Sequence, residues 1–541
     1  MPRAGHVCAG QTLSSPAHAR APVAADRRTR LAVVSILVLF AGGIALARLH
    51  TWAEPLERDL TTYAVIGHNL LHGRSLYSDL WDHKPPAIHV SYAVSELVFG
   101  YGPAAIYALN LTTAILTMFA IYAAASCAGN WRAGLWAVAF WAILSGDLQL
   151  QANQPNTEAF MNACLAGGFA ILIHCRAPGL MVGQALLTGM LFMAATAYKQ
   201  VVAVAPALLC LAHVAHPPSG CGRRRATADA ALICAVGVMG WLGIFTYFHV
   251  VGHSPNFVDA VFRFNRDYAG NPVRNLILQF QSPQRFLGPL LESAPALILF
   301  CVLGLAIRGK QDDRRWILWL AYAVGMDISI HAAGRSHDHY FQLWMPVIVI
   351  GGAWGLVSLA HLGRWMERRG LRAAGAFALA SLLVVQVPSY LKPADEWCRL
   401  KYKPPEGDVF AVSPTVAHEI DRLLAPAETF YVWGAETSLY YYASSRDLPT
   451  GLLYNYPLFQ GPLTRSLSQR ALEDLERSKP ALVATLREPL QPVPHDHPIE
   501  GWLRQNYHGW PDNRRGPYDL FVRSGSELEH RLAQNSKAQT P

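Results

Sequence analysis

Charge is scarce in this sequence. Of its 541 residues only 15% are Asp, Glu, Lys or Arg, while 52% are hydrophobic. Soluble domains carry about a quarter charged residues, so the shortfall excludes an ordinary soluble protein. CxxC spacing is missing too. The nine cysteines stand apart at Cys8, Cys127, Cys164, Cys175, Cys210, Cys221, Cys234, Cys301 and Cys398. Most lie in or beside apolar stretches, which predicts neither a disulfide framework nor a zinc site. No Gly-rich phosphate loop or Walker motif occurs, so a soluble nucleotide donor has no marked seat. No half of the chain repeats the other, which weighs against a transporter built from duplicated halves.

What the chain has instead is apolar stretches, recurring from Leu31 to about Tyr390. Crossing a bilayer takes about 20 such residues. The net charge of +8 falls between the stretches, at Arg27-Arg28-Thr29-Arg30, Arg223-Arg224-Arg225, Arg308 to Arg315 and Arg364 to Arg372. That is the pattern of cytoplasmic loops, not of a nucleic-acid surface. Residues 1–30, rich in Ala, Ser, Pro and Arg, read as a disordered cytoplasmic tail. Leu31 to Leu49 reads as an uncleaved anchor, although Ala45-Leu46-Ala47 imitates a signal-peptidase site. Its apolar run exceeds the roughly 7–15 residues of a signal peptide.

Pro86 to Phe99 is too short to cross and is expected at the interface. Further spans follow near 104–125, 133–150, 158–175, 180–198, 201–215, 229–250, 286–307, 316–333, 341–361 and 373–391. With the first they make about eleven, and every basic cluster then faces one side. From residue 392 the composition turns polar. Thr415–Leu424 and Thr464–Ser478 read as helices, and Thr429–Trp433, Ala481–Thr485 and Tyr518–Val522 as strands. The expected fold is an α-helical polytopic membrane protein, with a transmembrane domain over 31–391 and a soluble α/β domain over 392–541.

The side opposite the basic loops collects the remaining chemistry. It receives residues 50–103, Gln149 to Glu158, Lys199, the loop 251–285 and Gly334 to Tyr340. Charged groups at span ends are functional candidates, because they are costly unless paired or wet. Asp59 could act as a general base on an acceptor hydroxyl, or be only an acid that starts a helix. In Asp82-His83-Lys84-Pro85-Pro86, Lys84 offers a point charge suited to phosphate. The two prolines stiffen the chain and open a helix; a plain turn before a helix explains the same residues. His331, His337 and His339 with Asp338 could bind a divalent metal or meet lipid headgroups.

Taken in order, Asp59, Tyr63, Leu70-Leu71-His72-Gly73-Arg74-Ser75-Leu76-Tyr77 and Asp82-His83-Lys84-Pro85-Pro86 resemble the first extracytoplasmic loop of polytopic GT-C glycosyltransferases. The resemblance is to the bacterial branch of glycosyltransferase family 39, related to protein O-mannosyltransferases and lipid A aminoarabinose transferases. It covers roughly residues 31–350. It implies a GT-C fold in the bacterial inner membrane and an active site on the extracytoplasmic face. It also implies transfer of a hexosyl or pentosyl group, with inversion, from a polyprenyl-phosphate carrier to a lipid, glycan or protein.

The resemblance further implies roles. Asp59 matches the catalytic loop acid, Asp82 an acid just before the lysine, and Lys84 the lysine that contacts the carrier phosphate. Glu158 stands where relatives carry a second acid, there usually Asp. Lys199, in Ala197-Tyr198-Lys199-Gln200, is similar to a Thr-Lys-Gly motif without its Thr and Gly. Arg335 and His339 match a basic residue and a histidine ahead of a span. The C-terminal part is expected to cap the site or choose the acceptor, or else only to add stability. A lipid-linked-sugar flippase and a surface-polysaccharide ligase are the alternative readings. A flippase would place its polar residues near the bilayer midplane, whereas these gather on one face.

Overall fold

The computed structural model describes residues 27–538 apart from 128–129, 309–312, 336, 363–368, 435–436, 444–446, 489, 491–492, 495 and 511. Most of the predicted N-terminal tail therefore lies outside the described residues; Arg27–Arg30 belong to the first helix. In chain order the helices begin α1 (Arg27–His50), α2 (Arg58–Leu71), α3 (Ala87–Phe99), α4 (Pro103–Ala125) and α5 (Trp131–Leu144). α6 (Thr157–Ile173), α7 (Val182–Tyr198), α8 (Val204–Ala215) and α9 (Arg223–Val250) follow. Pro295–Ala306, Asp313–His331, Trp344–Leu362 and Arg369–Tyr390 continue the bundle.

Each predicted span overlaps one of these helices, but the one expected over 286–307 is broken at Gly288-Pro289 and Pro295, so that only Pro295–Ala306 is continuous after the short helices Pro283–Leu287 and Leu290–Ser293. Among the described residues five helices, namely Arg27–His50, Pro103–Ala125, Arg223–Val250, Asp338–Ala360 and Arg369–Tyr390, are long and apolar enough to cross a membrane. The others are shorter or, in Asp313–His331, more charged. The chain is a multi-pass membrane protein.

Burial sorts the helices. Leu39 on α1, Met239 on α9 and Val384 on the last span are exposed apolar residues, as suits a lipid-facing rim. Trp344–Leu362 runs through the middle, its Trp354 wholly enclosed. There Gly355 crosses Pro295–Ala306 so closely that a Cβ would strike the Phe300 carbonyl. Small residues at such crossings let helix backbones approach in lipid. The expected interfacial segment is α3, which leaves Val90, Val94, Leu97 and Phe99 exposed and packs back on α2.

The C-terminal part carries a five-stranded sheet of β1 (Phe430–Trp433), β2 (Leu482–Leu486), β3 (Tyr507–His508), β4 (Arg514–Arg515) and β5 (Tyr518–Arg523). β1 and β2 run parallel, and β5 lies antiparallel to β2, β3 and β4. The predicted helix at Thr415 in fact starts at Glu406 and continues through Pro414. Proline normally breaks a helix interior, which is why the sequence reading started one residue after it. Leu60, Tyr63, Tyr77 and Trp81 from the first loop, Phe257 and Phe264 from the second, and Tyr431, Leu482 and Leu520 from the sheet share one hydrophobic core. The bundle has a separate core.

Candidate active site

The site grows from the N-terminus of α2. Glu57 caps this helix, its carboxylate accepting from the amides of Asp59 at 2.7 Å and Leu60 at 3.1 Å. Asp59 therefore sits in the first turn, where the helix dipole favours an anion. Its Oδ2 lies 3.5 Å from Lys84 Nζ and 3.4 Å from the Tyr63 hydroxyl, and its Oδ1 3.4 Å from Arg58 Nε. Burial pushes the Asp59 carboxyl up, but Lys84 and Arg58 outweigh it and hold it well below the usual carboxylate range. Burial lowers the Lys84 ammonium, and Asp59 and Asp82 reverse this to a net rise. Glu57 moves the other way. Burial, with Asp59 adding to it, raises it to about 8.

Lys84 is presented by a stiff turn. Tyr77, in the left-handed region at φ 69°, donates its hydroxyl to the Lys84 carbonyl at 2.7 Å. Asp82 is buried and its oxygens are taken. Oδ1 accepts from the His83 amide at 2.7 Å and the Tyr454 hydroxyl at 2.8 Å, and Oδ2 faces His89 Nε2 at 3.1 Å. His83 carries Phe264 and Tyr268 against its ring. Burial, helped by Lys84, lowers it to about 4 and keeps it neutral.

Arg335 enters from the far side. Its guanidinium lies 4.4 Å from the Tyr268 ring centroid and donates to the Tyr456 hydroxyl at 2.9 Å. Asp59, Asp82, Lys84, Arg335 and His339 all line one cavity of about 340 Å³. Glu158 and Lys199 do not line it. They pair behind its wall at 3.1 Å, with Lys199 Nζ 3.4 Å from the Tyr340 ring centroid. So five of the seven predicted residues meet in the cavity, and the other two support a residue that forms its side.

The histidine stretch divides. His337 and His339 stack in the cavity with centroids 5.7 Å apart, and burial lowers His337 to about 3. His331 is drawn away to Asp327 at 3.2 Å and to the Arg285 carbonyl at 2.9 Å. The three imidazoles thus do not converge on one metal.

Among the described residues, metal-type ligands do meet at the other end of the bundle, in Cys175, His213 and Asp229. There Arg314 donates to His213 Nδ1 at 3.2 Å, and Asp229 takes the Leu180 amide and Arg225. His213 thus uses Nδ1 for Arg314, while its Nε2 faces Asp229 Oδ2 at 3.5 Å. A reading of cysteine spacing could not foresee a cluster assembled from three separate helix ends.

The sequence reading missed the contributors from the C-terminal part. Lys401, Tyr402, Glu406, Phe410, Tyr454 and Tyr456 all line the cavity, as does Tyr268. Tyrosine repeats at 454 and 456 were the available signal. Nothing local ties them to a lysine near the start of the chain.

No family model matches the sequence, and no curated protein matches it. Solved structures do resemble it. ArnT from Cupriavidus metallidurans bound to undecaprenyl phosphate aligns over 93% of this chain and 99% of its own, with TM-score 0.56 and 15% identity. Its apo state aligns over 91% and 98%, with TM-score 0.53 and 16% identity. The archaeal oligosaccharyltransferase AglB from Archaeoglobus fulgidus, in complex with an inhibitory peptide and a dolichol-phosphate, covers 85% of this chain and 70% of its own at TM-score 0.50 and 14% identity. The chain has the GT-C fold. Within that fold, the first loop that carries Asp59 and Lys84 and the C-terminal part that carries Tyr454 close on each other over the bundle's polar end.

Proposed function

We propose that this chain is an integral-membrane glycosyltransferase that moves a hexosyl or pentosyl group from a polyprenyl-phosphate carrier to an extracytoplasmic acceptor. The observation that carries the reading is Asp59 held 3.5 Å from Lys84 in a cavity that also contains Arg335. This sets a base beside cations in a fold shared with a protein solved with undecaprenyl phosphate. The arginine-bearing ends of α9 and Asp313–His331 lie at the opposite end of the bundle, which supports placing the cavity on the extracytoplasmic side of the inner membrane.

Lys84 and Arg335 would take the carrier phosphate, with His339 beside them. A phosphate that captures Lys84 loosens its hold on Asp59, whose proton affinity then rises. The base is thereby armed by the donor. The acceptor oxygen or nitrogen attacks the anomeric carbon from the face opposite the phosphate, and its proton goes to Asp59. The carbon–oxygen bond to phosphate breaks, the carrier leaves as a phosphate monoester, and the anomeric configuration inverts. Cations placed where charge collects on the leaving group supply the largest part of such catalysis. Asp82, whose oxygens are occupied, acts by holding the turn, and Glu158 and Lys199 by holding Tyr340.

Native mass spectrometry of the detergent-purified chain tests the donor assignment. Wild type is expected to carry a polyprenyl phosphate or its sugar conjugate, and Lys84→Ala to lose it. Bulk phospholipid alone on both forms would overturn the assignment.

A further inference from the structure

The wall of the cavity that faces Lys84 and Arg335 is built by two tyrosines from the C-terminal part, one from far along the chain from each. The Tyr454 hydroxyl sits between Asp82 Oδ1, to which it donates at 2.8 Å across 372 residues, and His83 Nδ1 at 2.9 Å. One hydroxyl proton serves one acceptor, so His83 donates its Nδ1–H to the same oxygen. Both side chains of the turn that presents Lys84 are thereby pinned. Tyr456 receives the Arg335 Nη2 at 2.9 Å, and its ring stands edge-on to Tyr268 with centroids 5.4 Å apart. Among the described residues no carboxylate lies within ion-pair distance of Arg335. A neutral hydroxyl and an aromatic face hold this guanidinium without cancelling its charge, so the full charge is available to an incoming anion.

We infer that Tyr454 and Tyr456 are positioning residues of the donor site, and that through them the C-terminal part completes phosphate binding. Tyr456 holds Arg335 and Tyr454 holds the Lys84 turn. The inference rests on the glycosyl-transfer reading above. Other contacts across the same seam give the tyrosines a fixed base. Thr62 meets Thr437 at 2.7 Å, the Leu56 amide donates to the Tyr442 hydroxyl at 2.7 Å, and the Trp81 amide to the Gly451 carbonyl at 2.9 Å.

The test is titration of the purified full chain with undecaprenyl phosphate, with thermal midpoints measured alongside. Tyr456→Phe keeps the ring and removes only the hydroxyl. Its Kd is expected to rise about tenfold, the scale of one hydrogen bond to a charged group, at an unchanged midpoint. Donor KM in a transfer assay should rise in parallel while kcat stays within about twofold. Tyr454→Phe should raise Kd and also lower the midpoint, since Asp82 loses a buried donor. Tyr441→Phe, on the C-terminal part but outside this cavity, should change neither.

A Tyr456→Phe Kd within about twofold of wild type would overturn the inference while leaving the donor reading intact. So would a fall in midpoint that accounts for the weaker binding. A wild-type chain that does not bind undecaprenyl phosphate would overturn the donor reading, and this inference with it.

Discussion

Glu57 and Asp59 are carboxylates two residues apart that their surroundings push in opposite directions. Lys84 and Arg58 hold Asp59 ionised, while burial raises Glu57 to about 8. Environments that separate two acids in this way divide the roles between them. Asp59, open to the cavity, is the base in the proposed mechanism, and Asp59→Asn should lower transfer by about 10³-fold, the scale of a lost general base. Carrier bound to that variant should persist in native mass spectra, since Lys84 and Arg335 remain. Full turnover by Asp59→Asn would remove the residue from the mechanism. Glu57 gives a prediction about stability. Its folded value lies above the ordinary 4.5, so between about pH 4.5 and about pH 8 the folded state holds the extra proton. Stability contributed by this group is present below that window and is lost as pH rises through it, by up to about 1.4 kcal/mol per pH unit. Thermal midpoints taken from about pH 5 to about pH 8 should fall more steeply for wild type than for Glu57→Gln. Parallel curves would show that Glu57 is ionised across the whole range.

At the scale of elements, α2 is the lever that places Asp59, and its packing on α3 leaves no slack. A Cβ on Gly67 would come within 2.9 Å of the Ala93 amide nitrogen, a backbone atom that cannot step aside. Gly67→Ala should therefore lower stability by about 1–3 kcal/mol, the cost of overpacking. It should also reduce kcat more than it raises donor KM, because the shift displaces Asp59 more than Arg335. Wild-type stability and kcat together would show that α3 yields.

The elements differ in how far the sequence revealed them. α2 was legible only as a stretch that the acid Asp59 could start as a helix, and α3 from a double proline followed by too few apolar residues to cross. The spans were legible because lipid demands uninterrupted apolar length. Glu406–Leu423 was half hidden by Pro414, and β3 and β4 are too short for any periodicity to register. Lys84 and Asp59 stood out because their spacing resembled a known loop. Tyr454 and Tyr456 did not, since their partners are set by tertiary structure and aromatic residues are common in any core. Glu158 and Lys199 pair beside Tyr340 instead of lining the cavity, and spacing along the chain does not report which side of Tyr340 they occupy.

The whole molecule is polarised. Arg225, Arg314 and His213 gather where α6, α8 and α9 meet, and Asp59, Lys84, Glu158, Lys199 and Arg335 gather at the other end. The C-terminal part is joined to that second end by an ion pair as well as by tyrosines. Lys401 Nζ lies 2.5 Å from Glu54 Oε1, both residues are 5% exposed, and Asn153 donates to the other Glu54 oxygen at 2.8 Å. Glu54 follows α1 directly and Lys401 precedes Tyr402 in the cavity wall, so the pair ties the first span to the site's outer wall. Removing one member strands a buried charge, whereas removing both removes the need for either. Lys401→Met should therefore destabilise by about 3–5 kcal/mol, and Glu54→Gln with Lys401→Met should recover most of that loss. Thermal midpoints of the two single variants and the double variant measure the coupling. A double variant no more stable than Lys401→Met alone would mean that water or another donor already serves Glu54. The C-terminal part would then be held over the cavity by its tyrosine contacts and the shared core, without help from charge.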